Sequence, residues 1–247
     1  VTAANLHAFI VCDTHADNIE KSVQADYRRI LNEIKYICKL TKLKPKIKTF
    51  TGYNVDSDFV NKLDSLNVKP DDVIIFYWSG HGKRFDFQEN PWPVFDFTYD
   101  DIVVSQYTIT QLLMDKHPRL ILSIADCCND YLGKSLILES RKISNSKKNN
   151  YRKLFLDSSG TYIATAALPG EFSFGLNRTI REWNLPPGGY YTTAFLEVLD
   201  EETSVKNPTI SWDLLFTLTG EKTIGYQLRD VDDPTVYHHP QFLYIAN

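Results

Sequence analysis

The sequence predicts an α/β fold: a mainly parallel sheet of about six strands with helices on both faces. Three observations carry this expectation. Short apolar runs of strand length alternate with segments whose apolar residues recur at steps of three and four, the pattern of βαβ units. The runs are continuously apolar, as buried strands of a parallel sheet are. Two of them stop abruptly in residues that carry chemistry, and open α/β sheets place ligands and reacting groups just beyond the carboxyl ends of their strands.

Taken in order, Leu6–Cys12 is the first strand, closed by Asp13-Thr14-His15. From Ala16 to Leu40, the residues Ile19, Val23, Tyr27, Ile30, Leu31, Ile34 and Cys38 form one helical stripe, with charged residues on the other face. Lys46–Thr51 suggests a more exposed strand. Asp56 or Ser57 can cap a short helix striped by Phe59, Val60, Leu63 and Leu66. Asp72–Trp78 is a buried strand that ends in Ser79-Gly80-His81-Gly82. Phe85–Tyr99, rich in aromatics, Asp and Pro, is expected to be a loop or small hairpin, and Thr110–Lys116 a short helix. Leu120–Ala125 is the next buried strand, ending in Asp126-Cys127-Cys128-Asn129. Tyr131–Glu139 suggests a helix. Arg141–Lys153 holds six basic residues in 13 positions with no apolar period, and is expected to be a loop or linker. Thr161–Ala167 is a strand, Glu182–Gly189 a loop, Tyr190–Leu199 and Ser211–Leu218 helices, and Phe242–Ala246 a last short strand.

At 247 residues and 43% apolar, the chain can bury a substantial core, and one unit spanning residues 1–247 is expected. With a net charge of −4, a large basic field for nucleic acid is not expected. No stretch of about 18 apolar residues predicts a membrane span. Four cysteines are too few for a disulfide framework and lack zinc spacing, so reduced thiols and a cytoplasmic location are expected. Asp96, Asp100 and Asp101 lack the spacing of a calcium cage, and no metal or cofactor is expected. His238-His239 beside Pro240 is expected to be structural or exposed. There is no G-x-G-x-x-G, no Walker sequence and no G-x-S-x-G elbow, which argues against a dinucleotide binder, a phosphate binder and a serine hydrolase.

A cysteine and a histidine at two strand ends of one sheet suit acyl transfer. The thiolate is the nucleophile, and an imidazole takes the thiol proton and later returns it to the leaving amine. Glycines flanking His81 let the backbone turn sharply and offer unhindered N–H groups to an oxyanion. Either feature alone has an ordinary structural use; together they favour catalysis, with Cys127 and Cys128 both in place to act.

The turn around His81 followed by Asp126-Cys127-Cys128 resembles the caspase-type cysteine peptidases, especially their metacaspase and paracaspase relatives. The separation of 128 − 81 = 47 residues is close to the about 50 of that family. Leu6–Asp13 is similar to the family's first strand, Ala25-Asp26 to the Asp-Ala pair of its first helix, and 160–173 and 188–196 to the first strand and helix of its small-subunit region. Gln-Ala-Cys of the caspases is absent, and Asn129-Asp130-Tyr131 stands where metacaspases carry His-Ser-Gly. The resemblance is therefore to the superfamily and not to one subgroup. It implies the caspase-hemoglobinase fold, with 1–140 as large-subunit-like region, 141–153 as basic loop or linker and 154–247 as small-subunit-like region. It implies Cys128 as nucleophile from the Asp-x-Cys register, His81 as base, and backbone N–H groups of Gly82 and Cys128 as oxyanion hole. It also implies an acidic first pocket built by Asp126, with Asp13 and Glu171 as candidates, that takes Arg or Lys of a protein or peptide substrate. Self-cleavage in Arg141–Lys153 follows from the same pocket. Bacterial relatives are often fused to sensor modules, which implies a sensor or activator partner and a signalling or defence role. The competing reading is a catalytically silent caspase-like interaction or regulatory module.

Overall fold

The computed structural model describes residues 4–56, 58–128, 145–176, 187–230 and 238–246. A six-stranded sheet runs in the order β11-β8-β7-β3-β1-β2. Its members are β1 (Asn5–Cys12), β2 (Lys44–Thr51), β3 (Val73–Ser79), β7 (Leu120–Asp126), β8 (Gly160–Thr165) and β11 (Gln241–Ile245). Five are parallel and β11 pairs antiparallel with β8. These are the six strands expected from the apolar runs. Every residue of β3, β7 and β8 is buried, which explains runs without polar alternation. β2 is the exception. It is an exposed edge carrying Lys44, Pro45, Lys46 and Lys48, residues that blunt further pairing.

Side chains leave the sheet alternately into two cores. Leu6, Ala8, Ile10 and Cys12 of β1 join a cluster with α1 (Glu20–Thr41), α5 (Tyr190–Ser204) and α6 (Trp212–Asp230). Phe9 and Val11 join the opposite cluster, with Phe59 and Leu63 of α2 (Asp58–Asp64) and Ile109 and Leu113 of α3 (Gln106–Met114). Helices therefore cover both faces, as expected. Of the loop or small hairpin expected at Phe85–Tyr99, the hairpin is the form taken: β4 (His81–Lys83), β5 (Val94–Asp96) and β6 (Val104–Ser105) form a small antiparallel sheet, and β9 (Gly175–Leu176) pairs antiparallel with β10 (Gly188–Gly189). α3 begins before Thr110 because Ser105 caps it, its Oγ accepting from Thr108 N at 3.0 Å.

Two expectations need correction. Residues 145–153, read from sequence as loop or linker, are helical: α4 (Asn145–Arg152) continues into a π-turn at Lys153–Asp157. Its buried face is polar, so no apolar period announced it. Lys147 is fully buried and pairs with Asp200, and Asn150 Nδ2 donates to the carbonyls of Thr203 and Val205 at the end of α5. Second, α6 runs on to Asp230, past the end expected at Leu218; Thr219 and Thr223 return their hydroxyls to the carbonyls of Leu215 and Thr219. Residues 129–144, including the helix expected at Tyr131–Glu139, and 177–186 lie outside the described residues. No helix among the described residues is long and apolar enough to cross a membrane.

Candidate active site

β3 and β7 are neighbours in register, with Ser79 opposite Asp126. The residues that follow each strand therefore emerge side by side. One cavity is lined by His81, Asp126, Cys127 and Cys128, and on its other walls by Ser22, Asp26, Ser79, Ser173, Gly175 and Gly189. Two glycines make this closeness possible. A Cβ on Gly82 would stand 2.2 Å from the Cys128 carbonyl oxygen and 2.6 Å from Cys127 Sγ; one on Gly189 would stand 1.9 Å from an oxygen of Asp126. Any other residue would push the backbone off the thiols or off the carboxylate.

The half-buried imidazole of His81 is oriented from behind. Its Nε2 lies 2.9 Å from the Asp17 carbonyl. A carbonyl only accepts, so Nε2 carries the hydrogen and Nδ1 is the acceptor nitrogen. Cys128 is 4% exposed. Its sulfur accepts from Ser173 N at 3.3 Å and faces Ser173 O at 3.5 Å. Cys127 belongs to the core with Phe95 and Trp78, and burial pushes its thiol well up, with Cys128 and Asp126 adding to the effect. A thiol so held protonated is a poor nucleophile.

Beneath the two catalytic candidates lies a pair of buried carboxyls. Asp126 accepts from Thr192 N at 2.9 Å, Thr192 Oγ1 at 2.7 Å and Ser173 Oγ at 3.0 Å. Asp26, on α1, accepts from Ser79 Oγ and from Gly189 N, both at 3.0 Å. Burial pushes both carboxyls up from the usual carboxylate range. For Asp26 the negative charge of Asp126 adds to burial, while Arg29 acts the other way on both.

The other acidic candidates stand elsewhere. Asp13 is buried, but its carboxylate accepts from Thr98 N at 2.9 Å and His15 N at 3.3 Å, organising the loop after β1. Glu171 accepts from His239 N and pairs with His239 Nδ1, both at 2.7 Å, near the surface. Neither lines the cavity. Asp26 lines it instead. Its signal was in the sequence: Ile19, Val23, Asp26, Ile30 and Ile34 step by four and three along α1, so a carboxylate occupies the buried stripe. Of the histidine pair, His238 is buried, with its Nδ1 accepting from Phe174 N at 3.3 Å, and burial pushes its imidazole down to about 3. Among the described residues no three His, Cys, Asp or Glu side chains are grouped to hold a metal ion.

The caspase-domain family model matches residues 12–219. Among solved structures the chain is similar to caspase-1 of Spodoptera frugiperda, at 16% identity and a TM-score of 0.61, covering 97% of this chain and 88% of that one. It is also similar to a Geobacter sulfurreducens protein, at 11% identity and a TM-score of 0.56, covering 98% of this chain and 94% of that one. At these identities the two likenesses establish the fold alone. No curated protein matches.

Proposed function

The chain belongs to the caspase-domain family of peptidases, and from that premise we propose that it is a cysteine endopeptidase that uses Cys128 and His81 to cut after Arg or Lys. The observation that carries the proposal is one cavity lined by His81 and Cys128 with the acidic pair Asp26 and Asp126 in its wall.

In this reading the Cys128 thiol gives its proton to Nδ1 of His81, and the sulfur attacks the scissile carbonyl. The carbonyl oxygen becomes an oxyanion held by the N–H groups of Gly82 and Cys128. The imidazolium then protonates the leaving amine as the C–N bond breaks, giving a thioester. Water, deprotonated by His81, hydrolyses the thioester and restores the thiol. A guanidinium or ammonium entering the cavity meets two carboxyls and draws them into their ionised form, whereas an acidic side chain meets like charge. The acidic pocket is thus assigned to Asp126 with Asp26 rather than to Asp13 and Glu171.

The test is steady-state hydrolysis of matched peptides with Arg, Lys, Asp or Leu before the scissile bond. Cys128→Ala and His81→Ala are expected to lose on the order of 10³-fold or more in kcat/KM, and Cys127→Ala to stay within a few-fold. Undiminished hydrolysis by Cys128→Ala, or a preference for Asp, would overturn the assignment.

One observation favours the second reading, a silent interaction module. The sulfur of Cys128 is buried against the main chain of Ser173. Failure of a small alkylating agent to label Cys128 in the presence of a basic peptide would support that reading; labelling accelerated by the peptide would support the enzyme.

A further inference from the structure

The loops after β1, β2 and β5 bring three aromatic side chains together. His15 packs edge-on against Tyr53 and Tyr99, with ring centroids 4.7 and 5.7 Å away, and the tyrosine rings are 4.6 Å apart. Tyr53 is 72% and Tyr99 49% exposed, so the cluster is a surface and not a piece of core. Lone exposed aromatics are ordinary, whereas a contiguous exposed patch marks an interaction site. The patch is wired to the site at one point: Asp17, two residues beyond His15, gives its carbonyl to the His81 ring. Its carboxylate, with that of Asp13, acts on Tyr99.

Chemistry sets the direction in which a substrate would cross this patch, and here the argument rests on the peptidase reading above. The residue before the scissile bond occupies the acidic cavity beside β7. The leaving amine must collect its proton from His81, so the chain after the bond departs over the imidazole. Outward from β7 the sheet continues β3, β1, β2. Tyr53 follows β2 and His15 follows β1. Two strand spacings make about 10 Å, the reach of about three extended residues.

We propose that His15, Tyr53, Tyr99 and Asp17 form a subsite for a basic side chain, above all a guanidinium, on the second or third residue after the scissile bond. Tyrosine faces attract cations, a planar guanidinium stacks on them, and the Asp17 carboxylate supplies the counter-charge. An aliphatic side chain would gain only covered area, and an acidic one would meet Asp17.

The test measures binding by fluorescence anisotropy to the Cys128→Ala protein, which cannot turn its ligand over. The probes are labelled peptides with Arg before the scissile bond and Arg, Lys, Leu or Asp as the third residue after it. The Arg peptide is expected to bind about five-fold more tightly than the Leu peptide, within the range of a cation–π contact, and the Asp peptide most weakly. Tyr53→Ala and Tyr99→Ala should each remove the Arg preference, and Asp17→Asn should reduce it. Phe87→Ala, a still more exposed aromatic on another loop, should leave it intact. Equal affinity for the Arg, Leu and Asp peptides, or a preference that survives both tyrosine substitutions, would overturn the subsite. A wild-type chain that shows the tyrosine-dependent preference but cuts none of these peptides would sink the peptidase reading and leave the subsite standing.

Discussion

Asp26 shows how much one residue can hold. It sits in the apolar stripe of α1, accepts from Ser79 and Gly189, and faces the cavity. In the unfolded chain an Asp ionises at about 3.9, whereas in the folded protein burial and Asp126 push this carboxyl well up. Folding therefore favours its protonated form. Its contribution to stability is most favourable below the unfolded value and declines as pH rises through the folded one. Asn at this position keeps an acceptor for Gly189 N and offers an N–H to Ser79. Thermal melts should accordingly show Asp26→Asn more stable than wild type at pH 7, with the difference closing toward about pH 4. The same variant should lose on the order of tenfold or more in kcat/KM for Arg peptides. A melting point unchanged at pH 7 would mean that the carboxyl is not strained by burial. At this scale the sequence was enough to anticipate that His81, Asp126 and Cys128 would line one cavity, because each follows the end of a buried strand and local residue order marks such ends. That Asp26 lines the cavity and Asp13 and Glu171 do not was not legible in it, because which carboxylates share a cavity depends on contacts between distant segments.

Among the elements, the apolar strands were legible and the polar helix was not. β3 and β7 are buried at every position, so hydrophobicity alone marks them. α4 packs through Lys147, Asn150 and Tyr151, whose partners are Asp200, the carbonyls ending α5, and the carboxylate of Glu33. Polar packing of this kind is specified by partners far along the chain, and no local period reports it. It also behaves asymmetrically. Lys147 is completely buried, whereas the Asp200 side chain is 29% exposed. Asp200→Ala would strand a buried ammonium without this carboxylate, at a cost of about 3–5 kcal/mol. Lys147→Met leaves a carboxylate that water can reach and should cost about 1–2 kcal/mol. Denaturant unfolding of the two variants would check this order; a larger loss for Lys147→Met would contradict it. The docking of α4 bears on the self-cleavage proposed for 141–153 as well. A cut at Lys147 requires α4 to unfold, so a native preparation should resist cleavage there in a timed digest analysed by mass spectrometry.

The whole molecule is a sheet with a core on each face, and the alternation of strand-like and helix-like segments was enough to anticipate it. The order of the strands was not, because it depends on which buried edges find each other rather than on any one run. That order is what brings the site together from two halves of the sequence. His81, Cys128 and Asp26 come from before residue 129, and Ser173, Gly189 and Thr192 from after residue 144. Asp126 receives the N–H of Thr192 in the first turn of α5, Asp26 that of Gly189, and β7 lies in parallel register with β8. The cavity is therefore held by noncovalent contacts across the seam rather than by chain continuity. Two separately synthesised polypeptides, divided between residues 128 and 145, should complement one another on mixing. They would form a split reporter in which basic-peptide hydrolysis appears only when both pieces are present, and Asp126→Ala in one piece should weaken reassembly as well as substrate selection.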